Sequence, residues 1–391
     1  MEKQLNIKYS LIQGLYWTIY CTILGYSTVY LLSHGLDNST IGVILALANI
    51  LTTVIQPGLA SYIDKMNLSL RRVVITIFGS IAILAILMML LSQVSILLRI
   101  LFVFITTLLM CTVPLLNSLT FAFEERGYVV NFGLARGIGS AAYAITSLLL
   151  GYMVEQYSPK LLPLIYMILI VGVIPLINSF KLPNEQSKKV VAKEEKIVEE
   201  QTSLIDFMKK YKKFVLLIVG VVFVFFDHIL INNFAFQVIT NIGGSSSDMG
   251  KAIFLAAMVE LPIMAYFNTL KDKISCGKIM IFSSIFFTLK HIVTYFATNI
   301  LMIYIAQALQ MFAYALFIPA SVFYVSNLVH EKDLVKGQSL MTMAQTIAGV
   351  FASLCGGIML DNLGVKSTLL VGAIISAIGT AIVFISSEKT I

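Results

Sequence analysis

The chain has 391 residues, of which 58% are hydrophobic and 12% are charged, and its formal net charge is +7. A soluble globular domain carries roughly 25% charged residues, so this composition excludes a protein whose whole surface faces water. The positive charges lie mainly in short links between long apolar runs, which argues against nucleic-acid binding and indicates a lipid bilayer as the partner. The four cysteines show neither metal-site nor disulfide spacing.

Twelve apolar segments, each long enough to cross a bilayer as a helix, follow one another along the chain. The predicted spans are residues 10–34, 40–63, 72–93, 95–121, 131–154, 159–180, 214–240, 249–270, 278–298, 300–327, 337–360 and 366–386. One long link, rich in Lys and Glu, contains a short amphipathic segment near 204–208. We predict an all-α polytopic membrane protein with an N-terminal six-helix bundle (1–180), a linker (181–213) and a C-terminal six-helix bundle (214–391).

The basic residues of the links are distributed unequally between the two sides of the membrane. Of the 27 Lys and Arg residues, 21 fall on the side of the termini and the linker, and four fall on the opposite side. The excess of positive charge predicts a cell membrane protein whose N-terminus, C-terminus and linker are cytoplasmic.

The two halves of the chain resemble each other weakly. Asp64-Lys65 after the second span and Asp272-Lys273 after the eighth span stand at matching places, and further basic residues follow each pair. Duplicated six-helix halves packed around a central cavity are one solution for a transporter, with the solute site near the membrane midplane.

Four charged residues lie well inside predicted spans, where charge is costly, and not at their ends: Asp227, Glu260, Lys290 and Arg136. An ionised group at the bilayer centre costs at least about 2.5 kcal/mol, so such groups pair with each other or line a hydrated cavity. We predict proton coupling by Glu260 as first choice and Asp227 as second, with Lys290 tuning the carboxylate that it faces. Purely structural ion pairs are the alternative.

His228 and His291 adjoin Asp227 and Lys290, and each neighbour points about 100° away around its helix. Either histidine could form part of a proton relay or a hydrogen bond to an adjacent helix.

Amides and aromatic residues at mid-span are candidate solute contacts. The amides are Gln13, Asn117, Asn232, Asn233, Gln307, Gln310 and Gln345, and the aromatic residues are Tyr16, Trp17, Tyr20, Tyr143, Tyr295 and Tyr314. Amide edges and aromatic faces suit a polyhydroxylated ring. Helix–helix hydrogen bonding and interfacial aromatic belts are the alternative for each residue.

Three motifs resemble the oligosaccharide–proton symporter (lactose permease-like) family of the major facilitator superfamily. They are Thr40-Ile41-Gly42 followed by Gln56-Pro57 and Asp64-Lys65, the run from Asn131 to Ser140 (NFGLARGIGS), and Tyr143 after it. The resemblance implies the major facilitator fold of twelve helices, a sugar-binding role for Arg136 and aromatic stacking by Tyr143. It also implies that Glu260 and Lys290 stand where that family has a sugar-linked acid and a basic partner of proton transfer.

The sequence departs from that family at several positions. Asn117-Ser118 lies near the place of the family's fourth-span acid, Gln310 and Ala313 replace its tenth-span histidine and acid, and Ala60 replaces a glycine. The substrate and the proton site of that family are therefore not assigned to this chain, and proton coupling would have to use Asp227 or Glu260. The predicted substrate-binding residues are Arg136, Tyr143, Asn117, Asn233, Gln310 and Tyr20.

Together these features predict a monomeric secondary transporter that works by alternating access. The predicted reaction is proton symport of a sugar-like or nucleoside-like solute, driven by the proton gradient without any cofactor or metal. The alternatives are a proton-antiport exporter of amphipathic compounds and a sodium-driven carrier. An enzyme is not indicated, because the HExxH and GxSxG motifs and paired catalytic carboxylates are missing, and the linker is too featureless for a scaffold protein.

Overall fold

The computed structural model describes residues 2–91, 95–120, 123, 128, 130–180 and 203–390. Every regular element within these ranges is helical. Ten helical stretches of the described residues are long and apolar enough to cross a membrane, when the interrupted first helix is left out and the last two helices are counted as one. Most of the predicted linker, 181–202, lies outside the described residues.

The N-terminal half contains six membrane helices, which we call α1 to α6. Helix α1 consists of Glu2–Tyr20, a π-helical turn over Cys21–Gly25, and Ser27–Ser33. The others are α2 (Asn38–Lys65), α3 (Leu70–Leu90), α4 (Ile96–Ser118), α5 (Phe132–Gln156) and α6 (Pro159–Ser179). Helix α1 begins well before the predicted start at residue 10, because its first two turns carry polar residues that hydropathy does not detect.

The C-terminal half repeats this arrangement with α7 to α12. Helix α7 is Lys212–Asn233 continued by Ala235–Asn241, α8 is Ser246–Lys271 and α9 is Cys276–Tyr295. Helix α10 comprises Ile300–Ala308, a 3-10 turn over Leu309–Met311, and Tyr314–Leu328. Leu204–Lys210, which covers the predicted amphipathic segment, forms a short helix that we call the linker helix.

The last two spans are two helices that follow each other directly. Within Leu334–Ser386, only Gly364 has non-helical dihedral angles. A straight helix of that length would measure about 80 Å, far more than a bilayer, so the chain reverses at Gly364. Gly364 has φ of +75°, which a residue without Cβ adopts without a clash. The five-residue link predicted at 361–365 is therefore reduced to one residue, and 334–363 and 365–386 are α11 and α12.

Three of the described membrane helices are interrupted within their length. Helix α1 breaks at Cys21–Gly25, α7 at Phe234, and α10 at Leu309–Met311. Irregular backbone inside a membrane is tolerated where it lines a cavity or is buried in protein. Residues at or beside all three breaks line the cavity described below: Leu24, Gly25, Asn233, Ala235 and Gln310.

The two halves pack against each other through α2 with α11 and α5 with α8. We call the side of the membrane that holds both chain termini the terminal face, and the opposite side the distal face. Gly42 lies against Ser353 and Gly357, and Gly250 lies against Ser147 and Gly151, so tightly that a Cβ at either glycine would overlap backbone atoms. Both contacts lie in the distal half, so the halves are closed together there.

Candidate functional site

A cavity of about 450 Å³ lies between the two halves. Helices α1 and α5 line it from the N-terminal half, and α7, α8, α10 and α11 line it from the C-terminal half. Its polar and aromatic lining residues are Trp17, Tyr20, Arg136, Ser140, Tyr143, Phe225, His228, Asn232, Asn233, Glu260, Gln307, Gln310, Tyr314 and Gln345. Size, position and lining are those of a small-molecule site.

Arg136 and Trp17 form the centre of the N-terminal wall. The Arg136 guanidinium lies 4.0 Å from the Trp17 ring centroid, and its Nη1 donates to Ser140 Oγ at 2.8 Å. The indole packs so closely on Gly139 that a Cβ at that position would overlap the ring. The guanidinium is therefore fixed in the cavity wall by the cation–π contact and the hydrogen bond, and the indole that it contacts is itself packed on Gly139.

Asn117 lies behind this wall and does not line the cavity. Gln13 joins the two regions, because its Nε2 donates to Asn117 Oδ1 at 3.3 Å and its Oε1 accepts from Trp17 Nε1 at 3.2 Å. Asn117 therefore supports the orientation of Trp17 through one intervening amide.

Aromatic rings cover the rest of the N-terminal wall. The Trp17 ring lies 4.9 Å from Tyr20 and 6.4 Å from Tyr143, measured between centroids. A Cβ on Gly25, in the π-helical turn of α1, would lie 3.0 Å from the Tyr143 hydroxyl. The break in α1 thus makes room for Tyr143 at the cavity edge.

Glu260 stands in the C-terminal wall and is connected to a buried cation. Lys290 is 1% exposed, and its Nζ donates to Gln310 Oε1 at 2.5 Å. Glu260, which is partly exposed to the cavity, lies beside the Gln310 side chain. The 3-10 turn in α10 carries Gln310 and holds its amide between the ammonium and the carboxylate.

His228 faces the cavity and lies in an aromatic stack. Its ring lies 5.1 Å from Tyr314 at an interplanar angle of 21°, and its Nε2 contacts Asn232 Nδ2 at 3.0 Å. The neighbouring Asn233 donates to Ser353 Oγ of α11 at 2.9 Å.

Asp227 points away from the cavity, as the helical rotation relative to His228 requires. Its carboxylate pairs with His291 Nδ1, and His291 Nε2 contacts the Leu369 carbonyl of α12 at 2.6 Å. Both side chains are almost fully buried. The Leu369 carbonyl can only accept, so His291 Nε2 carries a proton and donates to it. One further proton, held by either Nδ1 or the carboxyl group, joins His291 to Asp227 and leaves the pair neutral overall.

The cavity gathers most of the residues predicted from sequence. Those that line it are Glu260, Arg136, Tyr143, Asn233, Gln310 and Tyr20, while Lys290 lies one contact behind and Asp227 and Asn117 lie outside. Sequence reasoning listed Trp17, Asn232, Gln307, Tyr314 and Gln345 as candidate solute contacts and His228 as a candidate relay residue, but not among the six predicted substrate-binding residues, and it gave Ser140 no role of its own. Ser140 could have been found from helical spacing, because it stands four positions after Arg136.

These features define a polytopic membrane transporter of the major facilitator superfamily, not an enzyme. The chain belongs to the MFS_1 like family, whose sequence profile matches residues 6–371. The superfamily resemblance and the all-helical fold predicted from sequence are thereby confirmed.

The Uncharacterized transporter YwbF of Bacillus subtilis (strain 168) is 24% identical to this chain over 282 residues. The match covers 68% of this chain and 65% of that relative, so it spans just under two thirds of the relative's length.

Two solved structures share the fold. A point mutant of the nucleoside transporter NupG matches with a TM-score of 0.84 at 13% identity, covering 98% of this chain and 100% of that chain. A bacterial homologue of the human lysosomal transporter Spinster, inward-facing and unoccupied, matches with a TM-score of 0.70 at 13% identity, covering 99% and 97%.

Proposed function

We propose that this protein carries a small polar solute containing a ring, of the nucleoside or sugar class, together with a proton by alternating access. One observation supports the proposal above all others. A carboxylate, Glu260, faces a cavity between the two halves, and a single amide connects it to a buried lysine.

The lining of the cavity supports a solute with a flat ring and several hydroxyl groups. Trp17, Tyr20 and Tyr143 offer ring faces for stacking, and Gln307 and Gln345 offer amides for hydrogen bonds. The shared fold with NupG, a nucleoside transporter, adds support for the nucleoside class. An exporter of amphipathic compounds would need a wider and more apolar surface.

Proton coupling follows from the charge balance of the cavity. When the halves close around a solute, the charges in the wall lose water and have to be paired or neutralised. Glu260 is the exchangeable negative charge, because Gln310 connects it to Lys290 and the cavity leaves it partly accessible. Protonation of Glu260 then frees the Gln310 amide and changes the charge presented to the solute.

Orientation follows from the distribution of basic residues. The excess of Lys and Arg in the links of the terminal face supports a cytoplasmic location for that face in the cell membrane. Because the halves are joined on the distal side, the conformation described above would be the inward-facing state of the cycle.

Uptake into proteoliposomes tests the proposal. Labelled nucleosides and sugars should accumulate against their gradient only when an inward proton gradient is imposed, and solute addition should raise the external pH. Accumulation driven by sodium alone, or solute extrusion driven by inward proton flow, would overturn it.

A further inference from the structure

Asp361, at the distal end of α11, contacts the first residues of α2 in the opposite half. Its Oδ1 accepts from Asn38 N at 3.2 Å and from Asn38 Nδ2 at 2.8 Å. Its Oδ2 accepts from Ser39 N and from Ser39 Oγ, each at 2.6 Å. One carboxylate thus receives four hydrogen bonds from the other half.

Glu155, at the distal end of α5, makes the corresponding contact with α8. Its Oε2 accepts from Ser245 Oγ at 2.8 Å and from Ser247 N at 3.1 Å. In both cases a carboxylate faces the N-terminal end of a membrane helix, where free N–H groups and the helix dipole favour negative charge.

The two contacts are related by the internal repeat of the sequence. Ser147, Gly151 and Glu155 on α5 have the same four-residue spacing as Ser353, Gly357 and Asp361 on α11. The partner helices also match, because Ser39 stands three residues before Gly42 on α2, and Ser247 stands three residues before Gly250 on α8. The glycines bring the backbones together, and the acids then reach across.

Neither receiving helix depends on these acids for its own capping. Asp37 Oδ1 accepts from Thr40 N at 2.7 Å within α2, and Ser245 and Asp248 form a capping box at the start of α8. Among the described residues, neither Glu155 nor Asp361 forms a salt bridge. The hydrogen bonds described for the two carboxylates all come from the opposite half, so they exist only while the distal face is closed.

We propose that Glu155 and Asp361 act as a pair of helix caps between the two halves, which hold the distal face closed and set the balance between the two transport conformations. This role rests on the contact between the halves and is independent of the solute and of proton coupling. Opening the distal face breaks both caps together, so each carboxylate opposes the change by the strength of its charge-assisted hydrogen bonds.

Double electron–electron resonance tests the proposal, with spin labels attached to cysteines introduced by Lys160→Cys and Thr298→Cys. Both positions are exposed on the distal side, one in each half. A Cys355→Ala background suits the labelling, because the other three cysteines are buried. The variant of interest is Glu155→Gln with Asp361→Asn, and the matched control is Asp37→Asn with Asp248→Asn, which neutralises two acids at the same helix ends.

We expect the variant to raise the ratio of long to short label distances by about tenfold for each neutralised acid, while the control stays near the parent. Equal distance distributions in variant and control would overturn the proposal.

A second experiment remains informative if the double variant folds poorly. Ser39→Cys with Asp361→Cys joins the two halves where the side chains now hydrogen-bond. The oxidised protein should lose transport and regain it on reduction, because the distal face has to open in each cycle. Unchanged transport by the fully oxidised protein would show that this contact does not separate.

Discussion

The connection from Glu260 through Gln310 to Lys290 is indirect, and this has a chemical consequence. A direct ion pair between carboxylate and ammonium would fix both charges, whereas the amide beside them accepts from Lys290 and still has its N–H groups to offer to Glu260. The amide can keep the bond to Lys290 when Glu260 is protonated. Lys290 therefore remains satisfied in both states, which a buried charge requires.

Glu260→Gln should abolish uphill accumulation in proteoliposomes and leave solute exchange intact. The glutamine keeps the size and hydrogen bonding of the side chain but cannot exchange a proton. Asp227→Asn provides the comparison, because Asp227 is the other deep acid and is buried against His291. Loss of coupling in Asp227→Asn with normal coupling in Glu260→Gln would reverse the two assignments.

Tyr143→Leu should weaken binding of a solute with a ring by about 1 kcal/mol, because leucine offers no ring face for stacking. Tyr143→Phe should bind within about twofold of the parent if stacking is the contribution. Titration by calorimetry or by thermal shift measures both. Equal losses in Leu and Phe would indicate that the hydroxyl, not the ring, makes the contact.

Part of this site could be predicted from sequence, and the reason is energetic. Glu260 and Arg136 stand out because charge within an apolar span is costly wherever it occurs. The aromatic residues are harder to assign, because the same residue types also form interfacial belts and helix packing contacts. The pairing of Asp227 with His291 was not predictable, because it depends on how α7 and α9 are rotated against each other.

At the scale of elements, the linker helix is held against the C-terminal half by one acid. Lys210 Nζ and Tyr211 Oη both donate to Asp333, at 3.2 and 3.1 Å, and Tyr211 Oη accepts from His330 N at 3.1 Å. The hydrogen bonds to Tyr211 and Asp333 raise the pKa of Lys210. The ion pair of Lys210 therefore stabilises the docked helix fully at any pH below the ordinary pKa of lysine. This stabilisation is lost only as the pH rises through the raised pKa of Lys210. Docking should therefore not vary across the physiological range.

Asp333→Asn should release the linker helix, because the ion pair is lost and the Tyr211 hydroxyl keeps only a neutral acceptor. Trypsin should then cut after Lys209 or Lys210 several times faster than in the parent. Glu331→Gln is the control, since Glu331 lies in the same turn and is exposed. Equal cutting rates in all three proteins would show that other contacts hold the helix.

The predicted spans match the helices well because hydropathy reports length in the membrane directly. The errors occur where the decisive interaction is not hydrophobic. The breaks at Cys21–Gly25 and Leu309–Met311 lie within apolar runs, and no sequence pattern marks them. The sequence predicts a longer link at the Gly364 reversal, because Asp361 and Asn362 resemble loop residues although they continue the helix.

At the scale of the whole molecule, the two halves meet through small residues on four helices. A side chain larger than hydrogen at Gly42 would overlap the Ser353 carbonyl, while Gly58 on the same helix has open space around its Cβ position. The distal face can close only if the backbones of the paired helices come this near to each other, and a side chain at Gly42 would prevent that.

Gly42→Val should therefore shift the molecule away from distal closure and slow transport at least about tenfold, since overpacking of this kind costs roughly 1–3 kcal/mol. Gly58→Val should transport at the parental rate. Hydrogen exchange at the distal ends of α2 and α11 measures the opening directly. Normal protection in Gly42→Val would mean that the helices adjust without separating.

The one-residue reversal at Gly364 links the distal contact to the buried acid of α7. Because Gly364 is the one residue between the two helices, a tilt of α11 at Asp361 would also move the start of α12. Leu369 lies five residues after Gly364, and its carbonyl is the hydrogen-bond partner of His291, which in turn contacts the Asp227 carboxylate. Separation of the two halves at the distal face would thus move the hydrogen-bond partner of His291, which contacts a carboxylate that does not line the cavity.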